Sequence, residues 1–282
     1  MGPSFGQHQS SLNPPSTENG ASLAIAGVQW LSMREVFTSH SQAGAQMLSD
    51  YYVRFAEAFP AEDERPTRAR LEQRLQDPSS PLDIVCALKG NEIVGGRQFK
   101  IFERQGYTTF AAGEFFFVIP ECRRLRLGNL IVAQSEQIMT SRGASFAIGE
   151  FHDPKLCSDR DRALDELAGM TPEGRLQFWE KRHYRQFDAP YVCAPVFGST
   201  QWITNLTLAF RQLTPGEPTI SLPVPEYLSV VTRYWDSFSS GYRESPVYTR
   251  FMSHFNDVHD IKVIPLTKSR TFSQNRACEM TD

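Results

Sequence analysis

No run in the sequence approaches the roughly 18 to 20 consecutive apolar residues that a membrane-spanning helix needs, so a transmembrane protein is not expected. No Lys or Arg precedes the apolar patch at residues 21–31, which argues against a signal peptide. The N-terminal Met1-Gly2 is not read as a myristoylation site, because Gly6 stands where the pattern wants Ser or Thr and Pro3 adjoins the acceptor. Cysteine is scarce and unpaired: Cys86, Cys122, Cys157, Cys193 and Cys278 are odd in number and form no C-x-x-C pair. A disulfide scaffold is thereby excluded, and a reducing cytoplasm is the expected compartment. Charge of one sign is lacking too: 29 Lys and Arg stand against 32 Asp and Glu, a net of -3. No global field draws the chain to nucleic acid or to a membrane, so any anion site must be local.

Large apolar side chains are plentiful. Of 282 residues 40% are hydrophobic, with 20 Phe, 9 Tyr and 4 Trp, enough for one large domain with an appendage. Residues 1–25, rich in Gly, Pro, Ser, Asn and Gln, bury too little to repay their backbone entropy and read as a loose tail, as do residues 271–282. Met47, Tyr51, Phe55 and Phe59 recur every four residues and predict a helix over 41–59; a second follows at 67–75, ended by Pro78 and Pro81. The period then shortens. Residues 83–88 and 93–102 flank the turn Lys89-Gly90-Asn91-Glu92 as a β-hairpin, a third strand runs 108–118, a helix 127–139, and a strand 146–151. A helix over 174–183 and strands at 191–197 and 202–210 complete a domain of residues 26–214. The extension 215–270 is expected to pack on it through a helix at 225–238, whose Tyr227, Val230, Val231 and Tyr234 share one face. His254, Asp257, His259 and Asp260 read as a solvated polar tail.

The segment that carries chemistry is Val118-Ile119-Pro120-Glu121-Cys122-Arg123-Arg124-Leu125-Arg126-Leu127-Gly128-Asn129-Leu130. A strand stops at a proline, a basic turn follows and a helix begins. Such a turn offers unpaired N–H groups at the positive end of the helix dipole, and Arg123, Arg124 and Arg126 can neutralise phosphate charge, the makings of a pyrophosphate cradle. Cys122 in this turn sits where a thiol is acidified, but a covalent relay through it is the lesser reading.

This segment resembles the coenzyme A motif of the GNAT superfamily of N-acetyltransferases, Val-x-Pro-x-x-Arg followed by Gly-x-Gly and an aliphatic helix: Val118, Pro120, Arg123, Gly128 and Leu130 match. The order of elements over residues 35–212 matches too, and the later Phe-Tyr-x-x-x-Gly-Phe signature reads here as Phe178 to Tyr184. The resemblance implies a mixed α/β fold with a central, mostly antiparallel sheet, acetyl-CoA or another acyl-CoA as co-substrate, no metal, and direct acyl transfer to a small-molecule or peptide amine. It implies that Phe117, Val118, Arg123, Arg124, Arg126, Leu127, Gly128 and Asn129 hold the coenzyme. Glu114 would take a proton from the amine, and the Val118 N–H would hold the oxyanion. Two departures stand out. Arg126 replaces the first glycine and is strained if that position needs φ > 0, and Trp179 replaces the tyrosine that serves the family as acid. Tyr191, with Tyr184 behind it, is the candidate replacement acid; each is set against a half-buried packing role.

Glu150 and His152, with Asp153 beside them, crowd the end of the strand after the coenzyme helix, where they are read as binding the acceptor rather than a metal. Two alternatives stay open: a catalytically weakened member that binds acyl-CoA as a sensor or partner module, and an enzyme whose donor is an acyl carrier protein. A homodimer is left open as well. Asn205-Leu206-Thr207 fits a glycosylation pattern but falls in an expected strand and is discounted.

Overall fold

The computed structural model describes residues 27–266 apart from 104, 124, 168, 197 and 198. Both expected tails and Arg124 therefore lie outside the described residues. Strand β1 (Val28–Ser32) leads into α1 (Met33–Ser39), capped by Ser32, whose hydroxyl accepts from the Glu35 N–H. Helices α2 (Ser41–Ala58) and α3 (Arg68–Gln76) follow; Leu48, Tyr51 and Phe55 of α2 and Leu71 and Leu75 of α3 are buried against the sheet. The hairpin forms as expected from β2 (Leu82–Lys89) and β3 (Glu92–Phe102), turning at Gly90 with φ +62°. Then come β4 (Phe110–Val118), α4 (Leu127–Ser141) and β5 (Phe146–His152).

The remainder is α5 (Asp159–Leu167), α6 (Pro172–Glu180), β6 (Arg185–Phe187), β7 (Leu206–Gln212), β8 (Ser221–Pro223), α7 (Val224–Asp236), α8 (Pro246–Ser253) and β9 (Asp260–Pro265). The sheet has nine strands in the order β1-β2-β3-β4-β5-β7-β6-β9-β8, every pair antiparallel except β4 with β5. That parallel pair needs a crossover, which α4 supplies.

One expectation fails here and another is met in part. Of the expected strand 191–197, the described residues 191–196 pair only through the single bridge Cys193 with Ile203; Tyr191, Val192, Cys193 and Ala194 are buried in the cluster under α7, and burial rather than pairing explains their apolar run. The expected polar tail carries β9 from Asp260, with the His259 carbonyl accepting from the Val224 N–H, while Asp257, His259 and Asp260 are exposed as expected. Residues 221–266 thus extend the same sheet: β9 pairs with β6, and α7 buries Tyr227, Val230, Val231, Tyr234 and Trp235 on its face.

Candidate active site

The site is built on the parting of β4 and β5. Their ladder ends at Gly113 with Gly149, and beyond it the two strands diverge into a fork. On its other side β4 stays paired with β3, with a shift of register between Arg97 and Phe99 that gives β4 an extra residue and turns Glu114 to the α7 face. The Ile119 N–H bonds the Val94 carbonyl at 3.1 Å, so by the antiparallel alternation Phe116 and Val118 form non-bonded pairs with Arg97 and Gly95. Their N–H and C=O groups point away from β3, into the fork. The Arg123 Nε, which donates to the Val118 carbonyl at 3.0 Å, confirms that direction.

The turn beyond β4 delivers the chain to α4 through Arg126, whose φ of 59° and ψ of 8° lie in the left-handed region. The strain expected of an arginine at this position is therefore present. Among the described residues no side chain caps α4, so the N–H groups of Leu127 and Gly128 stay available to an anion, while that of Asn129 bonds the Arg126 carbonyl at 3.0 Å. Gly128 lies close under Phe116: a Cβ there would crowd the ring at 3.1 Å. Arg123 packs over Gly169 in the turn before α6, where a Cβ would fall 2.1 Å from its Nη1. Cys122, Leu127 and Phe117 are buried in the apolar core, so their side chains serve packing. Asn129 lines a cavity of about 570 Å³ between α4 and α6, with Glu136, Lys181, Arg182 and Arg211 around it. Glu136 pairs with Arg211 at 3.1 Å, and burial pushes its carboxyl above the usual range. Arg182, pulled down to about 10 by burial, completes a wall with more cations than carboxylates.

The opposite face of the fork carries a polar cluster. Glu114 pairs with Lys100 of β3 at 2.5 Å; Lys100 is 1% exposed, its ammonium lowered by burial and bonded to the Ser237 hydroxyl at 3.0 Å. Glu150, one step past Gly149 on β5, accepts from the Tyr191 hydroxyl on one oxygen and from the Tyr234 hydroxyl, at 2.9 Å, on the other. Burial raises its carboxyl despite both bonds, and Glu114 adds to that rise. Glu114, Glu150 and Tyr191 are thus brought together. His152 is turned to α5 instead, its Nδ1 facing Asp165 Oδ2 at 3.5 Å.

Strand, basic turn and helix are the arrangement that the sequence motif anticipates. Residues 46–153 match the acetyltransferase (GNAT) family. The GNAT stretch runs from inside α2 to the end of β5, holding both arms of the fork and the turn before α4, while α6, Tyr184 and α7 lie beyond it. No curated protein matches the sequence. Solved structures similar to this chain include an aminoglycoside 6'-N-acetyltransferase complexed with coenzyme A, at 18% identity and a TM-score of 0.42 over 62% of this chain and 94% of that one. The aminoglycoside 6'-N-acetyltransferase from Enterococcus faecium is 17% identical, with a TM-score of 0.42 over 61% of this chain and 93% of that one. Ard1 from Thermoplasma volcanium is 14% identical, with a TM-score of 0.40 over 60% and 94%.

Sequence reasoning missed four residues. Lys100 and Arg97 are charges inside an apolar strand, and that oddity was their signal. His183, at the glycine of the GNAT signature, has φ 63° as Arg126 does. Tyr234 was read as a packing residue, and nothing in the sequence ties its hydroxyl to Glu150.

Proposed function

We propose that the protein is an acyl-CoA-dependent N-acyltransferase, most simply an N-acetyltransferase, acting on an amine of a small molecule or peptide. The observation that carries this reading is the fork itself, whose β4 arm turns two N–H groups, of Phe116 and Val118, toward a gap that opens beside an uncapped helix N-terminus. Arg123, Arg126 and the first N–H groups of α4 are placed to hold a pyrophosphate, and the β4 edge to pair with a pantetheine amide. Acetyl-CoA, when bound, supplies the activated acyl group. The Phe116 N–H, two residues nearer Glu114 in the chain than the Val118 expected for this role, meets the thioester carbonyl as charge develops on its oxygen, while Val118 serves the pantetheine. The amine enters over the α7 face, where Glu114 accepts its proton. The carboxylates there favour a cationic amine.

Trp179 favours one second reading. It puts a ring packed against Phe116 and Phe151 where the family has its acid hydroxyl, as in a protein that binds acyl-CoA without turnover. Calorimetric titration with acetyl-CoA and CoA, repeated on an Arg123→Ala, Arg126→Ala variant, tests the coenzyme site: micromolar binding that the variant loses is expected, and no binding by the wild type overturns both readings. Turnover with any amine, lost in Glu114→Gln while CoA still binds, then decides for the enzyme.

A further inference from the structure

Arg97 is 2% exposed on β3, and among the described residues no carboxylate stands within ion-pair distance of its guanidinium. Glu136, the carboxylate whose charge reaches it, is itself paired with Arg211 at 3.1 Å. A buried cation without a counter-charge of its own is costly, and structures retain one where an anion arrives or forms. Its partners are neutral: Nη1 donates to the Ser135 hydroxyl of α4 at 2.9 Å, Nη2 to the Tyr184 hydroxyl at 2.9 Å, and the guanidinium lies 5.1 Å from the Trp179 ring centre. Because the Tyr184 oxygen accepts from Arg97, its own proton is directed elsewhere.

The place of this pair is fixed by the backbone. Register sets Arg97 opposite Phe116, whose N–H points into the fork. The guanidinium then runs back over Gly113, the last residue before the strands part, where a Cβ would come within 2.6 Å of Nη2. Arg97 and Tyr184 therefore stand at the base of the fork on the α4 side, whereas Glu114, Glu150, Tyr191 and Tyr234 occupy the other face. Tyr191, whose proton is given to Glu150, shares the Glu114 face on which the amine is deprotonated, whereas Arg97 and Tyr184 meet the fork from the α4 side.

We propose that Tyr184 is the acid that protonates the departing thiolate, with Arg97 as its positioning residue; this rests on the acyl-transfer reading above. As the C–S bond breaks, its electron pair stays on sulfur, which takes the Tyr184 proton. The tyrosinate left behind is held by the Arg97 cation and regains a proton from water once the thiol leaves, while the proton lost by the amine passes to Glu114 and from it to water, which closes the balance. Thioester and amine thus become thiol and amide with no other reactant. Burial raises the Tyr184 hydroxyl and Arg97 opposes that rise. The other charged groups facing this pocket are Glu136 of α4, Arg182 of α6, His183 and Arg211 of β7.

The test uses the full chain. With a reactive amine, Tyr184→Phe is expected to lower kcat about 100-fold at neutral pH while KM for acetyl-CoA stays within about twofold. Independently of turnover, ultraviolet absorbance of the thiolate follows the ionisation of bound CoA: the thiol should ionise about one pH unit lower in the wild type than in Arg97→Gln, with Arg97→Lys, which keeps the charge, in between and available should the glutamine variant not fold. Unchanged kcat in Tyr184→Phe, or identical thiol titration in the wild type and both Arg97 variants, overturns this assignment while leaving the acyltransferase reading intact. Failure of CoA to bind the wild type overturns both.

Discussion

Arg126 and His183 are non-glycine residues held at positive φ, and both stand where the GNAT motifs carry glycine. Left-handed backbone costs a residue with a Cβ about 1 to 3 kcal/mol, and glycine's greater freedom in the unfolded chain returns part of that. Arg126→Gly should therefore stabilise the fold by about 1 kcal/mol, raising Tm by roughly 2 to 4 °C in a thermal melt. The same change removes a cation from the turn, so KM for acetyl-CoA should rise severalfold; a variant no more stable than the wild type would show that the backbone there is not strained. The arginine's misfit was legible in the sequence because the motif names the position and glycine's absence there has one steric meaning. The role of Arg97 was not, since one charge in a strand gives no sign of which partner it meets.

At the level of elements, the hairpin, β4, α4 and β5 were all readable from periodicity, for each is long and bounded by Gly or Pro. The fork was not, because the point at which two parallel strands part depends on what packs between them. Its support is a close approach of α4 to β3 at Gly95, where a Cβ would lie 2.7 Å from Ile131 Cδ1 and 2.9 Å from the Phe117 carbonyl. The Ile131 end can yield but the Phe117 backbone of β4 cannot, so Gly95→Ala should strain the pairing of β3 with β4 and cost about 1 to 3 kcal/mol. Denaturant unfolding measures that loss. A fall in CoA affinity should accompany it, since β4 carries the N–H groups proposed to meet the coenzyme; an unaffected midpoint would mean that β3 and β4 have room to adjust at Gly95.

Across the whole molecule, the strand order ties residues 221–266 into the sheet that holds the site, through β9 on β6 and through Tyr234 and Ser237 on the Glu150 and Lys100 groups. The bond of α7 to the rest is aromatic. Trp235, fully buried, meets Trp202, Tyr242 and Phe251 with ring centres 5.1 to 5.5 Å away. Trp235→Ala should cost about 3 to 5 kcal/mol. Because α7 also covers the reaction face, secondary structure and acetyl transfer should be lost in one transition; two separated melts would mean that the C-terminal segment folds independently.

The sequence by itself determined the local elements, the strand-turn-helix motif with its arginines, and the residue identities that the chemistry needs, since periodicity, capping and turn geometry act over a few residues. Only the tertiary structure decided that Glu114 and Glu150 flank one fork, that Tyr191 is spent on Glu150, and that Arg97 and Tyr184 meet on the opposite face. Those juxtapositions join positions tens of residues apart. Sheet register and the burial of α4, α6 and α7 against it set them, and neither is written in any local stretch of the chain.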